Sequence, residues 1–173
     1  MGCLRRSPLL YRIVLSIMQL HLVFVGKTNF QEMDKGIQRY LDRLRHYARI
    51  EIHLVKAEKI SSKIPETLVC EREGERILNL LNAQDYLVVW DIGGKQLDSN
   101  GFARFLEKLQ NGGVASVWMV IGGPVGVSPE VLKRADCVLS LSRMTFPHDM
   151  ARLMIAEQLY RAFTIIKGGP YHK

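Results

Sequence analysis

Cysteine is scarce in this chain of 173 residues: Cys3, Cys70 and Cys137 lie far apart. An odd, scattered set argues against a disulfide framework and offers no paired metal-ligand spacing. A reducing cytoplasm is the simplest setting. Long unbroken apolar runs are also missing. The opening MGCLRRSPLLYRIVLSIM places basic residues before an apolar stretch, but Arg12 interrupts it, no small-residue cleavage site follows, and it is too short to span a bilayer. The segment MQLHLVFVGK at Met18 reads as a natural beginning. Residues 1–17 are therefore expected to be an extension outside the fold, with a targeting peptide as the weaker alternative, and residues 18–173 a single domain. Two nucleotide signatures are absent as well. There is no G-x-x-x-x-G-K-[ST] loop, and the one glycine-rich turn is spaced G-G-P-x-G, follows the fourth strand candidate, and leads to a strand, CVLSLSR, that carries no acid. A dinucleotide site requires G-x-G-x-x-G after an early strand and an acid for the ribose.

What is present is an apolar pattern that alternates between short β-type runs and longer helical periods, the mark of an α/β protein with a mostly parallel sheet. Strands are predicted at Leu20–Val25, Ile50–Val55, Tyr86–Asp91, Ser116–Ile121 and Cys137–Leu141, and helices at Phe30–Tyr47, Glu66–Leu81, Ser99–Gln110 and His148–Ile166. A net charge of +7 suits a polyanionic partner, since clustered Lys and Arg neutralise phosphates. Arg5, Arg6 and Arg12 supply three of those charges, however, and the remaining +4 is only mildly basic. The polar segment KAEKISSKIP (56–65) reads chiefly as a solvated connection.

Two stretches carry chemistry. In IGGPVGVSPE the strand SVWMVI runs into Gly122, Gly123, Pro124 and Gly126 before a short helix near Ser128. Glycines there allow positive φ and close approach to a ligand, although a tight strand-to-helix turn accounts for the loop equally well. In LSRMTFPHDMARLMIAEQLYRAFTIIKGGPYHK, a Ser- and Thr-containing loop passes through Pro147, placed to open the helix, into a helix that is apolar over more than one stripe. Such a helix buries two faces, one on the sheet and the other on a second subunit or, alternatively, inside a monomer. Arg152, Glu157 and Arg161 interrupt its apolar surface as interface ion pairs or as site residues.

These segments together resemble the SPOUT class of knotted methyltransferases and, within it, the bacterial large-subunit rRNA pseudouridine methyltransferases of the RlmH type. The matching elements are the opening strand ending in VG, VVWDIGGK, IGGPVG, LSRMTFPH, ARLMIAEQLYRAF and the terminal PYHK, which span residues 18–173 in order. The resemblance implies a five-stranded, mostly parallel sheet with flanking helices and a C-terminal deep trefoil knot. It implies S-adenosylmethionine, without a metal, held by three loops: Trp90 and Asp91 with Ile92 and Gly93; Gly122, Gly123, Pro124 and Gly126; and Leu141, Ser142, Arg143, Met144, Thr145 and Phe146. At Trp90 relatives more often carry a smaller aliphatic residue. Arg143 replaces a residue that is commonly small, and is expected to face outward toward RNA.

The implied reaction methylates N3 of a pseudouridine in 23S rRNA, in the intersubunit stem-loop of the ribosome, by a homodimer. For this chemistry the resemblance points to His148 and Arg152 at the start of the last helix, and to Tyr171 and His172 in the tail, at the cofactor mouth of their own or of the neighbouring subunit. Lys27, Lys56, Lys59, Lys63, Arg143, Arg161 and Lys173 are the basic candidates for RNA contact. The rival reading is a non-enzymatic ribosome-binding factor of the same fold. A nucleotide-using enzyme of another class fares worse, for want of the phosphate motifs.

Overall fold

A computed structural model describes residues 18–172, the last of them by its backbone alone. The extension 1–17, the side chain of His172, and Lys173 lie outside the described residues. The elements run β1 (Gln19–Val25), α1 (Gln31–Leu44), β2 (Arg49–Val55), α2 (Glu66–Leu78), β3 (Tyr86–Gln96), α3 (Ser99–Asn111), β4 (Ser116–Ile121), α4 (Pro129–Arg134), β5 (Cys137–Ser140), α5 (His148–Ile166) and a closing 3-10 turn (Pro170–His172). The five strands form one sheet in the order β2-β1-β4-β3-β5, and every pairing is parallel. A parallel sheet needs helices on both faces, and its central strands are accordingly apolar on both sides.

Alternation along each strand divides the core into two. Leu20, Leu22 and Phe24 of β1 and Val117, Met119 and Ile121 of β4 face α1, α3 and α5, where Leu41, Leu106, Leu159 and Phe163 complete the larger cluster. Val23 and Val25 of β1, Val89 of β3 and Trp118 and Val120 of β4 face α2 and α4, meeting Ile77 and Val131. Fully burying a Leu or Phe side chain is worth roughly 1.5–3 kcal/mol. Two helix starts are capped by side chains: Asp98 accepts from the Gly101 amide and Ser128 from the Val131 amide. Pro147 sits one position earlier than a first-turn proline, as the cap residue, with α5 beginning at His148.

One expectation changes. β3 does not end at Asp91 but continues to Gln96, leaving the ladder after Trp90 and rejoining β5 at Lys95 and Gln96. Gly94 permits this return, because a Cβ there would lie 2.5 Å from the carbonyl carbon of Leu139. The α5 helix is enclosed within one chain. None of its residues is exposed, and it packs chiefly between α1 and α3. Its buried side chains, Ile155, Leu159 and Phe163 among them, belong to the core, while Met150, Leu153, Met154 and Ile166 are half-buried.

Candidate active site

Ligand sites of open parallel sheets lie beyond the carboxyl ends of the strands, and here three such ends converge. The loops after Trp90 of β3, after β4 and after β5, together with the start of α5, line a cleft of about 440 Å³, within the range of small-molecule sites. Trp90, Asp91, Gly122, Gly123, Pro124, Gly126, Leu141, Ser142, Met144, Thr145, Phe146 and His148 all line it. Of the residues expected to bind a cofactor, Gly93 and Arg143 do not line this cleft; both are exposed beside it. Ile92 and Met144, both exposed apolar side chains, form the rim.

Each loop has a local reason for its shape. Gly126 takes φ +87° and its amide donates to the Gly123 carbonyl at 3.1 Å, closing a tight turn around Pro124. A Cβ on Gly122 would meet the Gly126 carbonyl oxygen at 2.6 Å, so the two sides of the turn nearly touch. In the third loop the Ser140 hydroxyl donates to the Ser142 carbonyl at 2.8 Å, and the Met144 amide to the Ser142 hydroxyl at 3.0 Å. In the first, Asp91 Oδ1 accepts from the Gly93 amide at 2.8 Å. Trp90 packs edge-on against Phe102, and its buried indole N–H has no acceptor. The same ring separates the cleft from an adjoining pocket of about 340 Å³ that reaches Lys95, Ser99 and Gln158.

His148 is partly exposed to the cleft, with Nε2 3.3 Å from Asp149 Oδ1. Asp149 is buried and holds several groups at once: its Oδ2 accepts from the amides of Asn29 (2.8 Å) and Phe30 (3.2 Å), and its Oδ1 from Arg152 Nη1 (3.3 Å). Its position in the first turn of α5 adds the favourable end of the helix dipole. Arg152 does not reach the cleft. It is fully buried, donating to the Val25 carbonyl and to the Thr28 hydroxyl and lying over the Phe24 ring. Burial pushes its guanidinium pKa down, with Asp149 opposing. Arg152 is therefore corrected from a substrate-facing residue to one that locks the β1–α1 connection onto α5.

Tyr171 is also elsewhere in the chain. Its hydroxyl meets Glu157 Oε1 at 3.2 Å and the Tyr40 hydroxyl at 3.3 Å, and the ring packs on Tyr160 under the Arg161 guanidinium. Burial, the Tyr40 hydrogen bond and the Glu157 carboxylate all raise its pKa. Nine residues of helix separate Glu157 from His148, about 13 Å. Arg161 is itself paired to Glu157, so it is not a free phosphate contact, whereas Lys27, Lys56, Lys59 and Lys63 are exposed.

Sequence reasoning missed two residues. Asp149 gave no signal beyond following a proline and a histidine. Glu73 of α2 lies behind the glycine loop, buried, with Oε1 accepting from the Glu58 amide at 2.9 Å and Oε2 without a partner, 3.3 Å from where a Gly123 Cβ would stand. Desolvation raises its pKa. The signal was there: an acid in the otherwise apolar stripe of an amphipathic helix.

A family model described as "Predicted SPOUT methyltransferase" matches residues 18–172. The chain belongs to the SPOUT methyltransferase family. Among its relatives, a protein of Syntrophobacter fumaroxidans named "Ribosomal RNA large subunit methyltransferase H" is 60% identical over 157 residues, covering 90% of this chain and all of that one. One of the same name from Enterococcus faecalis is 43% identical, with 90% of this chain and 100% of the relative covered. In fold, the chain is similar to the crystal structure of a "Probable Methyltransferase from Bordetella pertussis Tohama I" (TM-score 0.52, 14% identity, 86% of this chain and 98% of that one). SPOUT membership agrees with the five-stranded parallel sheet. Among the described residues no helix is long and apolar enough to cross a membrane.

Proposed function

We propose that this SPOUT protein is an S-adenosylmethionine-dependent methyltransferase acting on N3 of a pseudouridine in 23S rRNA, on the assembled ribosome in the cytoplasm. The observation that carries the reading is His148, backed by Asp149 and opening into a cleft walled by three glycine- and serine-containing loops. The relatives' names support the rRNA substrate.

The cleft fits the methyl donor. Its wall mixes apolar surface (Ile121, Leu141, Phe146) with loop backbone and contains no carboxylate besides Asp91, which suits an adenine read by main-chain groups and a cationic sulfonium near one acid. The unpartnered indole N–H of Trp90 is a donor still in want of an acceptor. When bound, S-adenosylmethionine supplies an electrophilic methyl group. The chain's own work is then to hold the base in line and take its proton. With the Asp149 carboxylate 3.3 Å from Nε2, a proton held on that nitrogen would leave Nδ1 of His148 as the acceptor of the N3 proton. The C-terminal trefoil knot is part of the same proposal, supported by membership of the SPOUT family.

The active unit is a homodimer. Support comes from the tail: Tyr171 rests far along α5 from His148 of its own chain, so a base-contacting tail would serve the partner's cleft.

The test offers labelled donor to intact ribosomes, free subunits and naked rRNA, with mass mapping of the product. Label at a pseudouridine of 23S rRNA is expected. Donor binding without transfer to any RNA would overturn the enzymatic reading in favour of a ribosome-binding factor.

A further inference from the structure

A second constellation lies on the sheet face opposite α5, toward the amino ends of the strands. His21 of β1 stands in register with Glu51 of β2, and His53 follows two residues on, so the pleat sends all three side chains to one face. His21 Nδ1 is 2.9 Å from His53 Nε2 and 3.6 Å from Glu51 Oε2, and His53 Nε2 is 3.9 Å from the same oxygen. Three donors on a tetrahedral zinc, with bonds of roughly 2.0–2.2 Å, stand about 3.3 Å apart. The observed edges, 2.9, 3.6 and 3.9 Å, fall on either side of that value, each within about 0.6 Å of it.

The surroundings fix the donors. Trp118 of β4 stacks on His21 (centroids 4.2 Å, planes 8° apart) and on His53 (4.7 Å, 29°), a wall that orients both imidazoles. His21 is buried, His53 partly so, and Glu51 exposed, which leaves the outer side of the triangle open to water. None of the three lines the active-site cleft.

From this geometry we infer that His21, Glu51 and His53 form a binding site for one divalent transition cation of the zinc type, with water completing the coordination and β2 fastened to β1 through the ion. Imidazole and carboxylate donors select such ions over magnesium or calcium, which require oxygen shells. To bind, the pair gives up its mutual N–H···N hydrogen bond, and each ring keeps its proton on the nitrogen turned away from the metal.

Cobalt(II) is the probe, titrated into tag-free, chelator-stripped, full-length chain. The expected result is visible d–d absorption saturating at one Co²⁺ per chain, displaced by Zn²⁺, with a higher Tm in Zn²⁺ than in Mg²⁺. His53→Gln and Glu51→Gln should each weaken binding by more than the roughly 10–100-fold that outer-sphere partners command, with the folded circular dichroism spectrum retained. Cys70→Ser combined with Cys137→Ser should leave the titration unchanged. Absence of saturable absorption, its survival in His53→Gln, or its loss in the cysteine variant would each overturn the assignment.

Discussion

The His148 ring lines the cleft, and the Asp149 carboxylate lies behind it, 3.3 Å away on the protein side. His148→Asn is expected to lower kcat by roughly 10²–10⁴-fold, with donor affinity by calorimetry unchanged. Asp149→Ala would remove the acceptor of two backbone amides and strand the Arg152 charge in the interior. A loss of about 3–5 kcal/mol in urea unfolding is the expected cost. Gly122→Ala forces a methyl against the Gly126 carbonyl. It should destabilise by roughly 1–3 kcal/mol and weaken donor binding by about tenfold or more, the equivalent of about 1.4 kcal/mol. At this scale the sequence was legible wherever a residue's type restricted its environment. The glycines and His148 fell where the motifs placed them. Arg152 did not, because an arginine four residues after a histidine shares its helix face in principle, and only the tertiary arrangement puts the Val25 carbonyl within reach of that face.

Among the elements, α2 has a titratable consequence. Glu73 has a folded-state pKa above its ordinary 4.5 through burial, so the folded chain holds that proton more tightly than the unfolded one. Its contribution to stability is fully present below 4.5 and is lost as the pH rises through the raised value. Glu73→Gln should therefore raise Tm at neutral pH and flatten the dependence of stability on pH above 4.5, as differential scanning calorimetry across pH would show. The strands and helices were read from the sequence to within a few residues because period 2 and period 3.6 do not resemble one another over such lengths. The extension of β3 past Asp91 was illegible. Its residues IGGK lack alternation, and the pairing that holds them comes from Leu139 and Ser140, far along the chain.

For the whole molecule, the issue is whether one chain completes its own site. Mixing His148→Asn chains with chains lacking residues 171–173 should restore part of the methyl-transfer rate if tail and cleft come from different subunits. Each variant alone should be inactive, with dimer mass by light scattering intact. Full activity of the truncated chain would remove the tail from the mechanism. The α/β class and the position of the cleft followed from strand order and glycine placement. Subunit composition did not, since the apolar surface of α5 meets α1 and α3 within the chain, and a partner's share of such a surface has no separate pattern in one sequence.

That enclosure of α5 also bears on how the molecule comes to exist. Leu159, Ala162 and Phe163 fill the middle of the larger core, against side chains from β1, α1, β4 and α3 that are all made before them. Until residues through Ile166 emerge, α1 and α3 alone lie on that side of the sheet, and the space between them stays unfilled. The nascent protein must wait with an apolar face uncovered and then close in one late step. Release of the C-terminal helix, rather than synthesis of the strands, should set the moment at which protease resistance appears during translation.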